Sequence, residues 1–251
     1  MGTLIGIGNS VNHGIGGVSG PYSANSTSID GISDYFLLSS QPTGAAQSKL
    51  ATISFWLKRT TTGTEAILYN TSRNSIRFVG TGLSSQFRWT MKNSVGTTIL
   101  DLKTADTVFN DTSWHHIILS YDLASGYHIY VDGVIESVTE ATATINDSVD
   151  WEEDALAVGA TTVGGSLFPG CISELYLALE YIDLSVAANL AKFISDGIPV
   201  SLGSDGSTPT GTAPMVYLKG NGAAFGTDSS GNGNTLTAIG SSSACSTSPA
   251  L

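Results

Sequence analysis

The sequence predicts an all-β protein, an antiparallel two-sheet jelly-roll sandwich with one short helix near the C-terminal third. Its 251 residues include 29 Gly and only 12% charged residues, a composition that favours strands and turns over amphipathic helices. From residue 28 to about residue 179, short apolar runs alternate with clusters of Gly, Asn, Asp, Ser and Thr, at the spacing typical of sandwich strands. One main core is expected, because all-β domains often reach this length as single units.

Composition divides the chain into four segments. Residues 1–27 form a glycine-rich arm with too little apolar mass for a core of its own. Residues 28–182 carry the strand pattern, residues 183–198 the predicted helix, and residues 199–251 a Gly/Ser/Pro-rich extension. This extension must lie on the main domain or on a partner, since it too has few apolar residues.

Strand parity is clearest in ISFWLK, residues 53–58. Ile53, Phe55 and Leu57 alternate with polar or aromatic residues, which predicts one face in the core and one face that carries Trp56 outward.

The helix is predicted over DLSVAANLAKFISDG. Asp183 is a suitable N-cap, and Gly197 can end the helix before Pro199. At helical spacing, one face would be formed by Val186, Leu190, Phe193 and Ile194.

Three of the four histidines lie in WHHIILSYDLASGYHIYVDG, which predicts a hairpin around the turn DLASG. If Tyr121 pairs with Tyr127, His116 and His128 share one face but lie about 13 Å apart at about 3.4 Å per residue. His115 points to the other face. Parity therefore argues against one metal site and favours half-exposed strand histidines.

The same hairpin, in TSWHHIILSYDLASGYHIYVDGV, resembles that of the concanavalin A-like, laminin-G-like jelly rolls, a family that includes the pentraxins. Upstream, SIDGISDYFLL followed by ATISFWLKR resembles the opening strands of this family, and LAVGA with LFPGCISELYLA resembles its last two strands. The region from residue 183 onward, through FGTDSSGNG, resembles the C-terminal extension of such domains in tailed-bacteriophage structural proteins. This resemblance implies a non-enzymatic virion component, a head decoration protein or a fibre protein, with glycan adhesion as a compatible second duty.

A Ca²⁺-dependent lectin is the first alternative, since relatives often hold Ca²⁺ on rim loops through oxygen ligands. The candidate loop is NDSVDWEED, residues 146–154. Trp151 could stack on a sugar ring, and the candidate metal ligands are Asp147, Asp150, Glu152 and Asp154. The competing interpretation is a solvated acidic loop capped by a core tryptophan.

A glycoside hydrolase is the second alternative, because the same sandwich hosts such enzymes. Their chemistry needs two carboxylates about 5 to 5.5 Å apart for retention. No glutamate fits the E-x-D-x-x-E strand pattern, and Glu174 and Glu180 would lie roughly 20 Å apart on one strand. We therefore expect no catalysis.

Charge and hydropathy limit the classes of partner that the chain can have. A net charge of −11 would repel a phosphate backbone, and the ten Lys and Arg residues show no run that could form a basic groove. The start of the sequence is interrupted by glycine and carries no Lys or Arg, and no span of about 20 apolar residues appears, so we expect neither a secretory signal nor a membrane span. We expect a protein made in the host cytoplasm and located in the virion, with other virion proteins as partners, glycans as a further partner, no nucleic acid, no membrane insertion and a homo-oligomeric state.

Cys171 and Cys245 could pair or remain thiols, since sequence alone does not set their distance. Two free thiols are expected if the chain folds in a reducing compartment.

Overall fold

A computed structural model describes residues 22–61, 64–71, 73–80, 86–105, 108–109, 111–143 and 146–249. The predicted arm, residues 1–27, therefore lies largely outside the described residues. The first fifteen strands precede the helix; they are β1 (Thr27–Asp30), β2 (Tyr35–Leu38), β3 (Gln47–Ser48), β4 (Leu50–Arg59), β5 (Glu65–Asn70), β6 (Asn74–Val79), β7 (Gln86–Lys92), β8 (Thr98–Thr104), β9 (Trp114–Asp122), β10 (Gly126–Val131), β11 (Val134–Ile135), β12 (Val138–Ala143), β13 (Val149–Asp150), β14 (Leu156–Val158) and β15 (Pro169–Ala178).

The C-terminal elements are shorter. They are the helix α1 (Ala187–Leu190), β16 (Ile194–Ser195), β17 (Ile198–Pro199), β18 (Val216–Leu218), a 3-10 helix at Gly222–Gly226, β19 (Thr237–Ile239) and β20 (Ser243–Ala244). None of the helices in the described ranges is long and apolar enough to cross a membrane.

Two antiparallel sheets pack face to face, which confirms the predicted all-β sandwich. The first sheet has the order β11-β10-β9-β4-β15-β1-β20, with β18 paired beside β1 on the long strand β15. The second sheet has the order β12-β8-β7-β6-β5-β14-β2-β19. Two strands of the C-terminal extension, β19 and β20, therefore complete the edges of sheets that the earlier strands begin.

The main core lies between the two sheets and has the predicted alternation. Ile53, Phe55 and Leu57 of β4 are buried in it. The second sheet contributes Phe78, Phe87 and other large side chains from alternate positions of β6, β7 and β8. Because inward residues alternate with outward ones, this core also determines which side chains the second sheet presents on its outer face.

A second core covers the outer face of the first sheet. It joins Ile118 of β9 and Tyr176 of β15 to Ile182, Phe193 and Leu202 from the segment after β15. Trp56 lies on this outer face, as its parity predicts, but it is only 4% exposed, and its ring centroid lies 4.9 Å from that of His116.

The helix is much shorter than predicted. Asp183 does not cap α1, because its carboxylate accepts hydrogen bonds from the N–H and hydroxyl of Ser185 and closes a turn before the helix. After α1 the chain forms the β16-β17 hairpin across Asp196 and Gly197, which both have positive φ. Asp-Gly at the centre of a two-residue hairpin is a strong turn signal, and here it replaces the last predicted turns of helix.

Cys171 and Cys245 form a disulfide with Cα atoms 6.1 Å apart. The expectation of two free thiols is therefore wrong. Sequence could not reveal the pairing, because it depends on β1 lying between β15 and β20 and bringing the C-terminal tail back to the start of β15.

Candidate binding groove on the second sheet

Three basic side chains stand in one row on the outer face of the second sheet. Strand register places Arg77 of β6 opposite Arg88 of β7, and Arg88 opposite Lys103 of β8. We call these three residues the basic row. Neighbouring strands are about 4.8 Å apart, and like charges placed directly opposite one another destabilise a sheet.

Among the described residues, a carboxylate neutralises the middle member of the basic row and neither of its ends. Arg88 donates from Nε to Oδ1 of Asp101 at 2.6 Å and makes a second bond from its Nη2 to Oδ2 of the same carboxylate. Among the described residues, no carboxylate lies within ion-pair distance of Arg77 or Lys103. The row therefore carries three positive charges against one negative charge.

A groove of about 110 Å³ lies beside the Arg77 end of this row. Ser75 lies between Tyr69 and Thr90 in cross-strand register, and these three residues form one rung of the groove. The lining is completed by Arg73, Asn74, Arg77 and Lys92. We call these seven residues the groove; it combines one aromatic ring with hydroxyl, amide and cationic groups.

Two buried polar atoms of the groove have no hydrogen-bond partner within the described part of the chain. They are Nε of Arg77 and Oγ1 of Thr90. A buried donor or acceptor left unpaired costs roughly 1–3 kcal/mol. A ligand that offers hydroxyl or carboxylate oxygens would remove this cost once the side chains of Arg77 and Thr90 turn these atoms toward the groove.

Other groove side chains are held in place by the acidic loop. Nε of Arg73 lies 2.7 Å from Oε1 of Glu153 and 3.5 Å from Oδ2 of Asp150. Asn74 donates from Nδ2 to the carbonyl of Asp150 at 2.6 Å and accepts from the backbone N–H of Lys92 at 3.1 Å. The loop therefore fixes one wall of the groove before any ligand arrives.

The predicted Ca²⁺ ligands do not converge. Asp147 accepts hydrogen bonds from Asn93 and from the N–H of Ser148, which lower the pKa of its carboxyl. Glu152 accepts from Gln47, and Asp154 is exposed. In the described ranges no group of three His, Cys, Asp or Glu residues is placed to hold a metal ion. The residues of this loop do not fit a Ca²⁺ site.

Trp151 does not face solvent either. Its indole is completely buried and donates from Nε1 to the hydroxyl of Tyr121 at 3.2 Å. It therefore cannot stack on a sugar, and the competing interpretation of an acidic loop capped by a core tryptophan describes this side chain better.

The histidine hairpin has the predicted register, with Tyr121 opposite Tyr127 and the histidines on two faces. His116 differs from the prediction of a half-exposed residue, because it is completely buried; its ring lies beside that of Trp56, and the Oγ of Ser54 lies 2.8 Å from its Nε2. His115 lies between the carboxylates of Asp132 and Asp111, at 2.7 and 3.0 Å.

Sequence reasoning missed the basic row and the groove. The ten Lys and Arg residues form no run in the sequence, but strand pairing brings five of them into the row or the groove. The signal was strand parity: Arg77 and Arg88 each stand next to a core phenylalanine, Phe78 or Phe87, and so must point outward.

Comparisons with known proteins identify relatives of this fold. The family model described as "Concanavalin A-like lectin/glucanases superfamily" matches residues 30–178. No curated protein matches the chain. A proposed carbohydrate binding protein from Bacteroides ovatus is similar with a TM-score of 0.63 at 15% identity over 92% of this chain. The match covers 62% of that longer protein. The native heptameric SAP-like pentraxin from Limulus polyphemus gives a TM-score of 0.49 at 12% identity, over 67% of this chain and 82% of the pentraxin.

Proposed function

We propose that this chain, which belongs to the concanavalin A-like lectin/glucanases superfamily, binds carbohydrate in the groove of its second sheet and does not cleave it. The unpartnered atoms of the groove support this most directly. Nε of Arg77 can donate and Oγ1 of Thr90 can both donate and accept. Sugar hydroxyls offer the complementary donors and acceptors, and the half-buried ring of Tyr69 provides an apolar surface beside them.

The composition of the groove supports binding over hydrolysis. Canonical glycosidases place two carboxyl groups on either side of the scissile bond. None of the described residues that line the groove is Asp or Glu. Asp150 and Glu153 approach it, but both engage Arg73.

The groove also supports binding that does not depend on Ca²⁺. Its side chains are cations, hydroxyls, an amide and a phenol, whereas Ca²⁺ takes carboxylate and carbonyl oxygens. Binding should therefore persist in EDTA.

A glycan array probed with the purified chain tests the proposal, followed by calorimetric titration of the best ligand. Thr90→Val should weaken binding about tenfold, the effect of one lost hydrogen bond of about 1.4 kcal/mol. It should not lower the unfolding midpoint, because the Thr90 hydroxyl has no partner among the described residues. The matched control is Thr237→Val on the exposed part of β19 at the edge of the same sheet, which should leave both quantities unchanged.

Three results would count against the proposal. They are an array without any saturable ligand, equal affinity of the Thr90 variant and the parent chain, and turnover of a bound polysaccharide. Loss of binding in EDTA would contradict the metal-independent form of the proposal and restore a Ca²⁺ lectin.

A place in a tailed-phage particle stays a prediction, supported by the resemblance of the C-terminal region. One reason for this role was that the C-terminal extension has too few apolar residues for a core of its own and so could lie on a partner. This reason is weakened, because Phe225 and Leu236 of the extension are buried in the main core of their own sandwich. The extension therefore does not need a neighbouring subunit to cover it. Copurification with virions at fixed copy number would support this role, and absence from purified particles would exclude it.

A further inference from the structure

We infer that the saccharide recognised by this chain is acidic, with carboxylate or sulfate groups that bind along the basic row. This rests on the proposed function and names the class of ligand for the same face of the protein. The basic row begins at Arg77, which also lines the groove, and continues across two more strands to Lys103. A ligand that leaves the groove along the row would cross β6, β7 and β8.

The charge arrangement favours an anion. The row and the groove together contain five of the ten Lys and Arg residues in a chain whose net charge is −11. The five are Arg73, Arg77, Arg88, Lys92 and Lys103. A concentration of positive charge on an acidic protein is not needed for solubility, and placing like charges opposite one another on neighbouring strands costs stability.

The ion pairs on this face leave a local excess of positive charge. Asp101 compensates Arg88, and the acidic loop compensates Arg73. Arg77 and Lys103, at the two ends of the row, have no carboxylate partner among the described residues. An anionic ligand would supply the missing charge at both ends, whereas a neutral sugar could satisfy only hydrogen bonds.

The chemistry of the side chains matches carboxylate and sulfate groups. Arginine presents a planar fork of donors that pairs with such oxygens through two parallel hydrogen bonds. Nε of Arg77 has no hydrogen-bond partner in the described ranges, so this guanidinium keeps a donor that an acceptor would satisfy on reaching it. Members of the row repeat at about 4.8 Å across the sheet, so a chain of sugars with repeated acidic groups suits it better than a single small anion.

Long nucleic acids fit this surface poorly. The phosphate backbone would approach a protein with 21 Asp and Glu residues and only 10 Lys and Arg residues, and repulsion from the rest of the surface would oppose it. A short saccharide that lies across the outer face of the second sheet would not contact the rest of this acidic surface.

Affinity electrophoresis and calorimetric titration against four polymers of similar length test the inference. The probes are polygalacturonate, dextran sulfate, neutral dextran and a single-stranded oligonucleotide, each at 50 and 200 mM NaCl. We expect binding to polygalacturonate or dextran sulfate and not to neutral dextran. Whichever of the two acidic polymers binds more tightly identifies a carboxylate or a sulfate as the acidic group.

Charge variants locate the site. Arg77→Gln and Lys103→Gln should each weaken binding of the acidic polymer about tenfold, as expected for loss of a charge-assisted hydrogen bond of at least 1.4 kcal/mol. The matched control is Lys49→Gln, which removes the same charge at a residue outside the row and the groove, where Nζ donates to Oδ1 of Asn146. It should change affinity less than twofold. Unfolding midpoints measured in parallel show whether each variant still folds.

The possible failures are distinguishable. Tight binding of neutral glycans that is lost in Thr90→Val but unaffected by Arg77→Gln would overturn the acidic ligand and leave the proposed function standing. Absence of binding to any saccharide would overturn both. Equal binding of the oligonucleotide, or equal weakening by Lys49→Gln, would mean general attraction of polyanions and would overturn the inferred site.

Discussion

At the scale of single residues, the adjacent histidines of β9 have opposite electrostatic surroundings. His116 is completely buried beside Trp56, and this burial lowers its pKa to about 3. Burial also acts to lower the pKa of His115, but the hydrogen bonds and charges of Asp132 and Asp111 outweigh it and raise the pKa above its ordinary value. Strand parity determines the difference, since one imidazole meets apolar side chains and Ser54 while the other meets two carboxylates.

These shifts predict a pH dependence of stability with opposite signs. The pKa of His116 in the unfolded chain is about 6.5, so between about pH 6.5 and pH 3 only the unfolded state binds this proton. The contribution of His116 to the free energy of unfolding is fully present above about pH 6.5. It decreases by about 1.4 kcal/mol for each unit that the pH falls below this value. His115 has a raised folded-state pKa, so its contribution is present below about pH 6.5 and is lost as the pH rises through the folded-state value.

Urea unfolding from pH 4 to pH 9 measures both effects. His116→Gln should flatten the fall in the free energy of unfolding below about pH 6, even if the variant is less stable at every pH. His115→Gln should be less stable than the parent chain at low pH. This difference in the free energy of unfolding should become much smaller at high pH. Parallel pH curves for the parent chain and either variant would contradict the corresponding prediction.

At the scale of elements, local periodicity in the sequence predicts strand orientation and hairpin register, but it fails where a second local signal competes with it. The alternation in β4 and the register of the β9-β10 hairpin are confirmed, because the apolar face of a strand fixes its orientation. The predicted helix is too long because the spacing of Val186, Leu190, Phe193 and Ile194 suits a helix, whereas Asp196-Gly197 specifies a tight turn. In the structure Val186 is 47% exposed, so the predicted apolar face does not form as one surface.

The candidate site could not be predicted from the sequence, for a different reason. Each basic residue of the row points outward by parity, but only the pairing of β6, β7 and β8 brings the three side chains into one line. Sequence gives parity within a strand; alignment between strands needs the register of both hairpins. The acidic loop was the stronger candidate in the sequence because its carboxylates are nearly consecutive, yet their partners come from distant residues such as Arg73 and Asn93.

The disulfide should stabilise the edge of the first sheet. Cys171 is on β15, and Cys245 comes directly after the edge strand β20, which pairs only with β1 in the described sheets. The two cysteines are 74 residues apart, and a native disulfide typically stabilises a protein by about 2–4 kcal/mol. Cys171→Ala with Cys245→Ala should lower the free energy of unfolding by this amount.

Two measurements check this prediction. Urea unfolding compares the double variant with the parent chain, and hydrogen exchange should show the largest loss of protection at β20 and β1. Thiol titration of the unfolded, unreduced parent chain is the control. Two reactive thiols there would contradict the disulfide itself.

At the scale of the whole molecule, the C-terminal extension is part of the cooperative core. Phe225 packs edge-to-face on Phe36, with ring centroids 5.2 Å apart, and both side chains are completely buried. The side chain of Asn234 joins the extension to the loop after β2, since its Oδ1 accepts from the N–H of Thr43 and its Nδ2 donates to the carbonyls of Thr43 and Met215. Strands β18 and β20 of the extension belong to the first sheet and β19 belongs to the second, so the sandwich and the extension should unfold together.

Phe225→Ala tests this cooperativity. Removal of a fully buried phenylalanine side chain costs about 3–5 kcal/mol through lost burial and the cavity left behind. Because Trp89 and Trp151 are buried in the same core cluster, their fluorescence should report one transition shifted to lower urea for the whole chain. Thr237→Ala, at an exposed position of the same extension, should unfold like the parent chain. A separate early transition of the extension, with the tryptophan transition unchanged, would show instead that residues 199–249 form an appendage and that the sandwich is stable without them.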